Sequence, residues 1–283
     1  YNGYLFNQNY NPDANYNKIN AYINKYNRSY KKKKLNIINY KFEKNPTKVN
    51  LGFVSPDFRN HPVGYAILNV IKNLKVHNFN LFAYYNSNIE DKLTVEFKKS
   101  FDSFYNIKNL SDEKIINQIR SDGIHILIDL AGHTIDNNLD IFYHNPAPVQ
   151  ISWLGYLGTT GLKEIRYKIG DPYIYPKEYE NEFSEKFIYL PNIWSNFTVT
   201  KSGNITKPEF REINDSIVFG CFVTLRKINN NVITLWSKVL KKFPSTKLYF
   251  IAPEFHDIST QNDLKTKFAN NEIKSERLIL EKS

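Results

Sequence analysis

From residue 49 onward, short apolar runs alternate with longer segments in which apolar residues recur every three or four positions. Such runs predict buried strands, and the longer spacing predicts amphipathic helices. The predicted strands are VNLGFV (49–54), FNLFAYY (79–85), GIHILIDL (123–130), VQISWLG (149–155), RYKIGD (166–171) and KFIYLP (186–191), and the predicted helices are 63–75, 90–104 and 111–121. This alternation is typical of a parallel sheet with helices on both faces.

A second series of strands and helices follows an irregular, polar stretch at 192–214. Its predicted strands are SIVFGCF (216–222), TKLYFIA (246–252) and RLIL (277–280), with predicted helices at 230–242 and near 260–269. Because this second α/β domain has three strands, we expect it to be incomplete at residue 283.

Residues 1–35 form a predicted helical preface, followed by a polar connector. Asp13 is the predicted N-cap of a helix with apolar positions at Tyr16, Ile19, Ile23 and Tyr26. The run KKKK at 31–34 contributes to a net charge of +10, but the excess of lysine extends along the whole chain without a nucleic-acid-binding motif. We therefore read the lysine run as a solvated face and expect no nucleic-acid partner.

The composition restricts the class of protein. The 283 residues are 41% hydrophobic, which is enough for two domains with substantial cores. No apolar run approaches eighteen residues, so no membrane association is expected. A single cysteine, Cys221, fits a reducing, cytoplasmic compartment. Since the chain starts at Tyr1 and contains no Met, we expect it to be a piece of a longer protein.

Polar residues follow several predicted strands at their carboxyl ends, where open parallel sheets bind ligands. His61 follows the first strand, immediately before a helix. Lys227 precedes a helix of the second domain, where it and the helix dipole suit a phosphate. Taken singly, His61 could be an ordinary loop histidine and Lys227 one of many lysines, but their shared position at strand ends favours a binding site.

Two glycine-containing loops occupy equivalent positions. AGHT follows strand 123–130, and GYLGTTG (155–161) allows a backbone to approach a ligand closely, although it could equally be a turn. Other histidines lack this placement. His125 and Asp122 lie at the amino end of their strand, where structural roles are expected; His77 and His256 are expected at the surface, and His144 in a loop.

Four segments resemble the catalytic region of the O-linked N-acetylglucosamine transferases and the related plant SPINDLY proteins, glycosyltransferase family 41. They are GFVSPDFRNHPVG (52–64), DGIHILIDLAGHTIDNNL (122–139), NPAPVQISWLGYLGTTGL (145–162) and FGCFVTLRKINNNVITLW (219–236). YLFNQNYNPD (4–13) resembles the stretch that joins such domains to upstream tetratricopeptide helices in bacterial members. The resemblance covers almost the whole chain.

The resemblance implies the GT-B fold, an α/β architecture of two Rossmann-like domains, with the second one truncated here. The expected organisation is a helical preface and linker at 1–48, an N-terminal catalytic domain at 49–205 and the start of a nucleotide-sugar-binding domain at 206–283. It also implies inverting transfer of N-acetylglucosamine from UDP-GlcNAc to a Ser or Thr of a protein acceptor.

The site residues are carried over by position. His61 matches the family's active-site histidine, proposed as a base or a substrate-positioning group, and Lys227 matches the lysine that contacts the donor diphosphate. The expected sugar- and acceptor-site loops contain Gly132, His133, Thr134, Tyr156, Gly158 and Thr159. Because the chain has no Asp-x-Asp pair to hold a metal, lysine and backbone must balance the diphosphate charge, so no metal or cofactor is expected.

Two departures leave alternatives open. Val223-Thr224 replaces the polar amides that the family usually carries before Leu-x-Lys-Ile, and the family's later glycine- and threonine-rich loop would lie beyond Ser283. We therefore expect the 283-residue stretch alone to be inactive. The alternatives are a SPINDLY-like protein O-fucosyltransferase using GDP-fucose, a catalytically inactive peptide-binding relative, and a basic nucleic-acid-binding protein.

Overall fold

The structure is a computed structural model that describes residues 2–30, 35–39, 42–198 and 217–282. The chain divides into two compact units: Tyr1–Asn9 with Ala14–Ser202, and Tyr10–Asp13 with Gly203–Ser283. Two stretches interpreted above, the lysine run at 31–34 and residues 199–214 of the irregular stretch, lie outside the described residues.

The first unit is built around a seven-stranded sheet. Its strands are β1 (Val49–Ser55), β2 (Phe79–Tyr85), β3 (Ser103–Asn106), β4 (Ile126–Asp129), β5 (Val149–Ser152), β6 (Tyr167–Gly170) and β7 (Lys186–Tyr189). Its helices are α1 (Asn2–Gln8), α2 (Tyr16–Tyr30), α3 (Pro62–Leu74), α4 (Lys92–Ser100), α5 (Asp112–Ser121) and the short α6 (Leu139–Phe142). Strands and helices therefore alternate along most of the sheet as the apolar pattern predicted, whereas within the described residues no α-helix separates β5, β6 and β7.

All seven strands are parallel, in the order β3-β2-β1-β4-β5-β6-β7. The chain starts at β1, proceeds outward to β3, and then returns to place β4 on the other side of β1. Leu51 in β1 thus pairs with both Leu81 and Ile126. The strand order reverses between β1 and β4, and open α/β sheets generally bind ligands at such a reversal, outside the carboxyl ends of the strands.

Apolar side chains cover both faces of this sheet. Phe53 lies in one cluster with Ile67 and Phe97 of the covering helices, and the next residue along β1, Val54, lies in the other with Ile116. Successive residues of a strand point to opposite faces, so a strand with two covered faces has an unbroken apolar run. The expected helices on both faces are confirmed.

Two local predictions were wrong. The segment predicted as a helix over 90–104 ends at Ser100, and β3 follows it, because Phe101 turns to an extended conformation and its ring packs with Phe104 against Phe58. Asp13 does not cap α2: the Asn15 side chain accepts the backbone N–H of Asn17 at the start of that helix.

The second unit contains a three-stranded parallel sheet of order β10-β9-β8. Its elements are β8 (Val218–Cys221), α7 (Asn230–Lys242), β9 (Lys247–Ile251), α8 (Ile258–Ala269) and β10 (Leu278–Glu281). Leu240 and Phe268 of the helices pack with Phe250 of the central strand. Among the described helices of either unit, none is long and apolar enough to cross a membrane.

Candidate active site at the switch point of the first sheet

The loop after β1 ends at His61, which caps helix α3. Its backbone is extended (φ −153°, ψ 150°), and its ring Nδ1 accepts the backbone N–H of Val63 over 3.3 Å. Pro62 occupies the first helical position, where a missing N–H costs nothing and the fixed φ suits a helix. The histidine predicted to lie at a helix start is therefore also the N-cap of that helix.

A buried carboxylate lies beside His61. Asp57 is 6% exposed, and its Oδ2 lies 3.4 Å from His61 Nδ1, while its Oδ1 accepts a hydrogen bond from the Arg59 guanidinium over 3.1 Å. The His61 side chain keeps 35% of its surface exposed. Burial lowers the pKa of His61 and Arg59 adds to this effect, while the Asp57 charge acts in the opposite direction. His61 is thus a neutral, reachable imidazole with a carboxylate behind it.

Several contacts fix the loop between β1 and α3. Phe58 is fully buried in the core cluster, and the Asp57 N–H donates to Ser55 Oγ over 3.0 Å. The Asn60 N–H donates to Asp91 Oδ2 over 2.6 Å.

Gly64 is required at the first turn of α3, because a Cβ there would collide with the backbone oxygens of Arg59 and Asp57. The positions of Asp57 and His61 are therefore set by backbone packing.

The loop after β4 is held by Asp129, the last residue of that strand. Its carboxylate accepts the N–H groups of Ala131 and Gly132 over 3.1 and 2.9 Å. Gly132 has a positive φ of 53°, a conformation that favours glycine, and its Cα lies directly against the Tyr156 side chain. Thr134 closes the turn through Oγ1, which donates to the Ala131 oxygen over 2.8 Å.

His133 lies inside the unit. Its side chain is 0% exposed, its Nε2 is 3.0 Å from the Thr160 carbonyl oxygen, and the rings of Tyr26 and Tyr156 meet it edge-on. Burial lowers its pKa to about 4, so the ring is neutral and donates Nε2–H to that carbonyl. His133 therefore joins the AGHT loop to the GYLGTTG loop.

The GYLGTTG loop is held on its buried side by Glu185, which is 4% exposed. Glu185 accepts hydrogen bonds from Thr159 Oγ1 over 2.6 Å and from the Thr160 backbone N–H over 2.7 Å. Ser184 Oγ donates to the same carboxylate over 3.1 Å. The hydroxyl groups of this loop therefore bond to a buried carboxylate, which gives the loop a defined shape.

Lys168 completes a buried charged cluster under these loops. It is 0% exposed, and its Nζ donates to the Tyr156 oxygen over 2.9 Å and to Ser152 Oγ over 3.4 Å. Burial lowers the pKa of Lys168, whereas the nearby charges of Glu185 and Asp129 act to raise it. Burial also raises the pKa of Asp129, to about 6, against two backbone hydrogen bonds. The sequence analysis missed this cluster, although a lysine within an otherwise apolar strand was the available signal.

The residues predicted for the sugar and acceptor loops thus fall into two groups. Thr134 and Gly158 are half-buried, and Leu157, which precedes Gly158 in the chain, is 52% exposed. The buried residues Gly132, His133, Tyr156 and Thr159 shape the loops from inside. The accessible side chains at this edge of the sheet are therefore those of the loop tips and of His61.

Lys227 lies in the second unit, in a single 3-10 turn at Leu225–Lys227, and is exposed. Asn229 caps the following helix α7 by accepting the Val232 N–H over 3.1 Å. Thr224, just before the turn, donates from Oγ1 to Glu254 over 3.1 Å. The predicted placement before a helix start is confirmed.

The remaining histidine predictions can also be compared with the structure. His125 Nδ1 accepts the Asn50 N–H over 3.0 Å, and Asp122 is the C-cap of α5 and accepts the Tyr84 hydroxyl, so both structural roles are confirmed. His77 and His256 are exposed as expected. Within the described ranges, no group of three or more His, Cys, Asp or Glu side chains is arranged to hold a metal ion.

Comparison with known proteins places these features in one family. The model of the family "Glycosyl transferase family 41" matches residues 21–205. A rice protein named as a probable UDP-N-acetylglucosamine–peptide N-acetylglucosaminyltransferase SPINDLY is 31% identical over 201 residues, which cover 70% of this chain and 22% of the rice protein. The Arabidopsis protein named SEC, with the same enzymatic description, is 30% identical over 71% of this chain and 21% of its own length.

A solved structure shows the same relationship. A mutant of the O-GlcNAc transferase from Thermobaculum terrenum is 27% identical, with a TM-score of 0.85 over 96% of this chain and 52% of that one. The chain therefore spans about a fifth of the length of the curated relatives and about half of this structure.

Proposed function

Because this chain belongs to glycosyltransferase family 41 and has the fold of GT-B glycosyltransferases, we propose that it forms part of a protein O-N-acetylglucosaminyltransferase. The donor is UDP-GlcNAc, the acceptor is a Ser or Thr hydroxyl of a protein or peptide, and the configuration at the anomeric carbon inverts. The relatives' names describe this donor and a peptide acceptor. Neither nucleic acid nor membrane takes part, and the single Cys221 supports a reducing, cytoplasmic setting.

The observation that carries the proposal is the position of His61. It lies where the strand order reverses between β1 and β4, at the carboxyl ends of the strands, with an accessible ring and a buried carboxylate behind it. A neutral imidazole is suited to accept the proton of an alcohol near neutral pH. In the proposed reaction His61 takes the acceptor proton as the hydroxyl oxygen bonds to the anomeric carbon.

The leaving group requires positive charge. We assign residues 49–205 to the catalytic domain and 206–283 to the start of the donor domain, following a helical preface at 1–48. Lys227 then contacts the diphosphate, assisted by the N-terminus of α7, and no metal is required. The half-buried Thr134 and Gly158, and the loop frame made by Gly132, His133, Tyr156 and Thr159, border the sugar and acceptor.

The test uses the protein encoded by the full reading frame that contains this chain. Wild type and His61→Ala are compared as enzymes acting on a Ser/Thr peptide. Wild type is expected to transfer N-acetylglucosamine from UDP-GlcNAc, and His61→Ala is expected to lower turnover strongly. Its cost in unfolding free energy should stay near that of the lost α3 cap, about 1 kcal/mol, because the side chain lies outside the core. His77→Ala, an exposed histidine after α3, is the matched control. Full activity of His61→Ala would contradict the role of this residue.

Donor choice is tested in the same assay. Transfer of fucose from GDP-fucose in place of N-acetylglucosamine would favour the SPINDLY-like alternative. Retained peptide binding without transfer from either donor would indicate an inactive relative.

A further inference from the structure

The two groups closest to Nδ1 of His61 make opposite demands on it. The Val63 N–H, 3.3 Å away, needs a lone pair on Nδ1, whereas Asp57 Oδ2, 3.4 Å away, needs a proton there. A neutral imidazole carries one proton. If Nδ1 caps the helix, the proton is on Nε2; if Nδ1–H faces Asp57, then Nε2 has the free lone pair. Only the second tautomer can take a proton at Nε2.

We propose that Asp57 is a positioning residue that keeps the proton on Nδ1 of His61, so that Nε2 is the basic atom. The inference rests on the proposed function for the use to which that base is put. Under this proposal His61 cannot cap α3 and act as a base at the same time. When Nδ1 carries the proton, it no longer accepts the Val63 N–H.

The surroundings of Asp57 support this assignment. Its Oδ1 is engaged by the Arg59 guanidinium, and its backbone N–H by Ser55, so Oδ2 is the oxygen directed to His61. Burial raises the pKa of Asp57, while the charges of His61 and Arg59 act against that rise. An ionised carboxylate with one cationic partner in place is suited to stabilise the imidazolium that forms during transfer.

Other charges face the pair from neighbouring loops. Asp136, in the loop after β4, acts electrostatically on Asp57, and Asp91 at the N-cap of α4 bonds to Asn60 beside His61. The Asp136 charge acts to raise the pKa of Asp57, whereas the charge that acts directly to raise the pKa of His61 is that of Asp57 itself. Arg59 is the cation that opposes it.

The step is balanced without any further reactant. The acceptor O–H bond breaks and its proton goes to Nε2 of His61 as the oxygen forms a bond to the anomeric carbon. The bond from that carbon to the diphosphate oxygen breaks, and the leaving group keeps the electron pair. Asp57 stays ionised and the Nδ1 proton stays in place, so His61 ends as an imidazolium paired with Asp57.

The direct test is the tautomer of His61, read from the ring nitrogen shifts of the ¹⁵N-histidine-labelled 283-residue chain at a pH above the titration of His61. We expect Nδ1–H in wild type and a shift toward Nε2–H in Asp57→Asn. Arg59→Gln should keep Nδ1–H and raise the His61 pKa, because it removes a neighbouring cation. A wild-type ring with its proton on Nε2, or a tautomer unchanged by Asp57→Asn, would overturn the proposal.

The rate of sugar transfer by the protein encoded by the full reading frame gives a second readout. Asp57→Asn should lower kcat about a hundredfold or more with the KM for the donor little changed, and move the acid limb of the pH–rate profile to lower pH. Asp263→Asn, at an exposed carboxylate on α8, is the matched control. A fall in kcat accompanied by a change of similar size in KM, with the acid limb of the pH–rate profile unmoved, would refute a positioning role. If wild type transfers no sugar, the proposed function fails while the tautomer measurement still decides on Asp57.

Discussion

Asp91 Oδ2 accepts the backbone N–H of Asn60 over 2.6 Å, so the carboxylate that caps α4 also holds the residue next to His61. The same carboxylate accepts the N–H groups of Leu93 and Thr94. Burial acts to raise the pKa of Asp91, but these hydrogen bonds outweigh it and hold the pKa below its ordinary value. One ionised side chain thus joins a helix start to the loop that carries His61.

We therefore expect Asp91→Ala to lower both stability and turnover. Loss of an N-cap costs about 1 kcal/mol of unfolding free energy, measurable by urea denaturation, and the freed Asn60 should loosen the loop that carries His61. Because the folded pKa is depressed, the stabilisation from Asp91 is present above the unfolded pKa and is lost as the pH falls through the folded one.

Ser111→Ala is the control for this prediction, because Ser111 caps α5 through the Lys114 N–H and lies in a different loop. It should cost a similar unfolding free energy with no loss of turnover. Equal turnover losses in the two variants would show that the effect is one of general stability.

His133 should make the first unit sensitive to acid. Its pKa in the folded chain is lowered to about 4, whereas an ordinary histidine in the unfolded chain has a pKa near 6.5. Between these two pH values the unfolded chain binds more protons than the folded one. The stabilising contribution of a neutral His133 is present above pH ~6.5 and falls by about 3 kcal/mol as the pH drops to ~4.

The measurement is the difference in unfolding free energy between wild type and His133→Gln across that range. Taking the difference separates His133 from Asp129, whose raised pKa of about 6 has the opposite effect on stability in the same window. A difference that stays constant from pH 7 to pH 4 would contradict the prediction.

Gly161 should not tolerate a side chain. Its φ is +68°, and a Cβ there would overlap Ile23 of α2, whose neighbour Asn27 donates a hydrogen bond to the Gly161 oxygen. We expect Gly161→Ala to lower the unfolding free energy by at least about 1–2 kcal/mol, the cost of a left-handed conformation alone. In Gly3→Ala, where nothing lies within 4 Å of the new Cβ, stability should hold or rise. Equal melting temperatures for the two variants would refute this packing.

Lys227→Ala should reduce turnover of the full reading frame about a hundred- to thousandfold, since one charge-stabilising group at the leaving diphosphate would be lost. Lys238→Ala, an exposed lysine on the following helix, is the control and should be close to wild type. A chelator should have little effect on wild type. Inhibition by the chelator with full activity of Lys227→Ala would show that a metal balances the diphosphate charge.

The sequence was sufficient for the alternation of strands and helices and for the place of His61, because both depend on local pattern. The strand β3 was missed for a reason that is not local: Phe101 and Phe104 fit a helical spacing, but their rings pack against Phe58, more than forty positions earlier in the chain. Tertiary packing overrode the periodicity.

The buried cluster of Asp129, Lys168 and Glu185 was missed for a similar reason. Lys168 within an apolar strand was a signal, but Asp129 and Glu185 resemble surface charges at strand ends, and the shared burial emerges only when β4, β6 and the start of β7 meet in the sheet. His133 and Thr159 were correctly placed in loops at the carboxyl edge, but the direction of a side chain within a loop is set by such partners.

The support of the GYLGTTG loop by Glu185 and Lys168 has an evolutionary consequence. Thr159 and Thr160 bond to Glu185, the Tyr156 oxygen accepts from Lys168, and the Leu157 oxygen accepts from the Tyr175 hydroxyl, whereas the Leu157 side chain is exposed. Mutations at this tip can accumulate in a lineage without loss of the native fold. The side chain at the tip can therefore differ between relatives while the bonds that shape the loop are inherited unchanged.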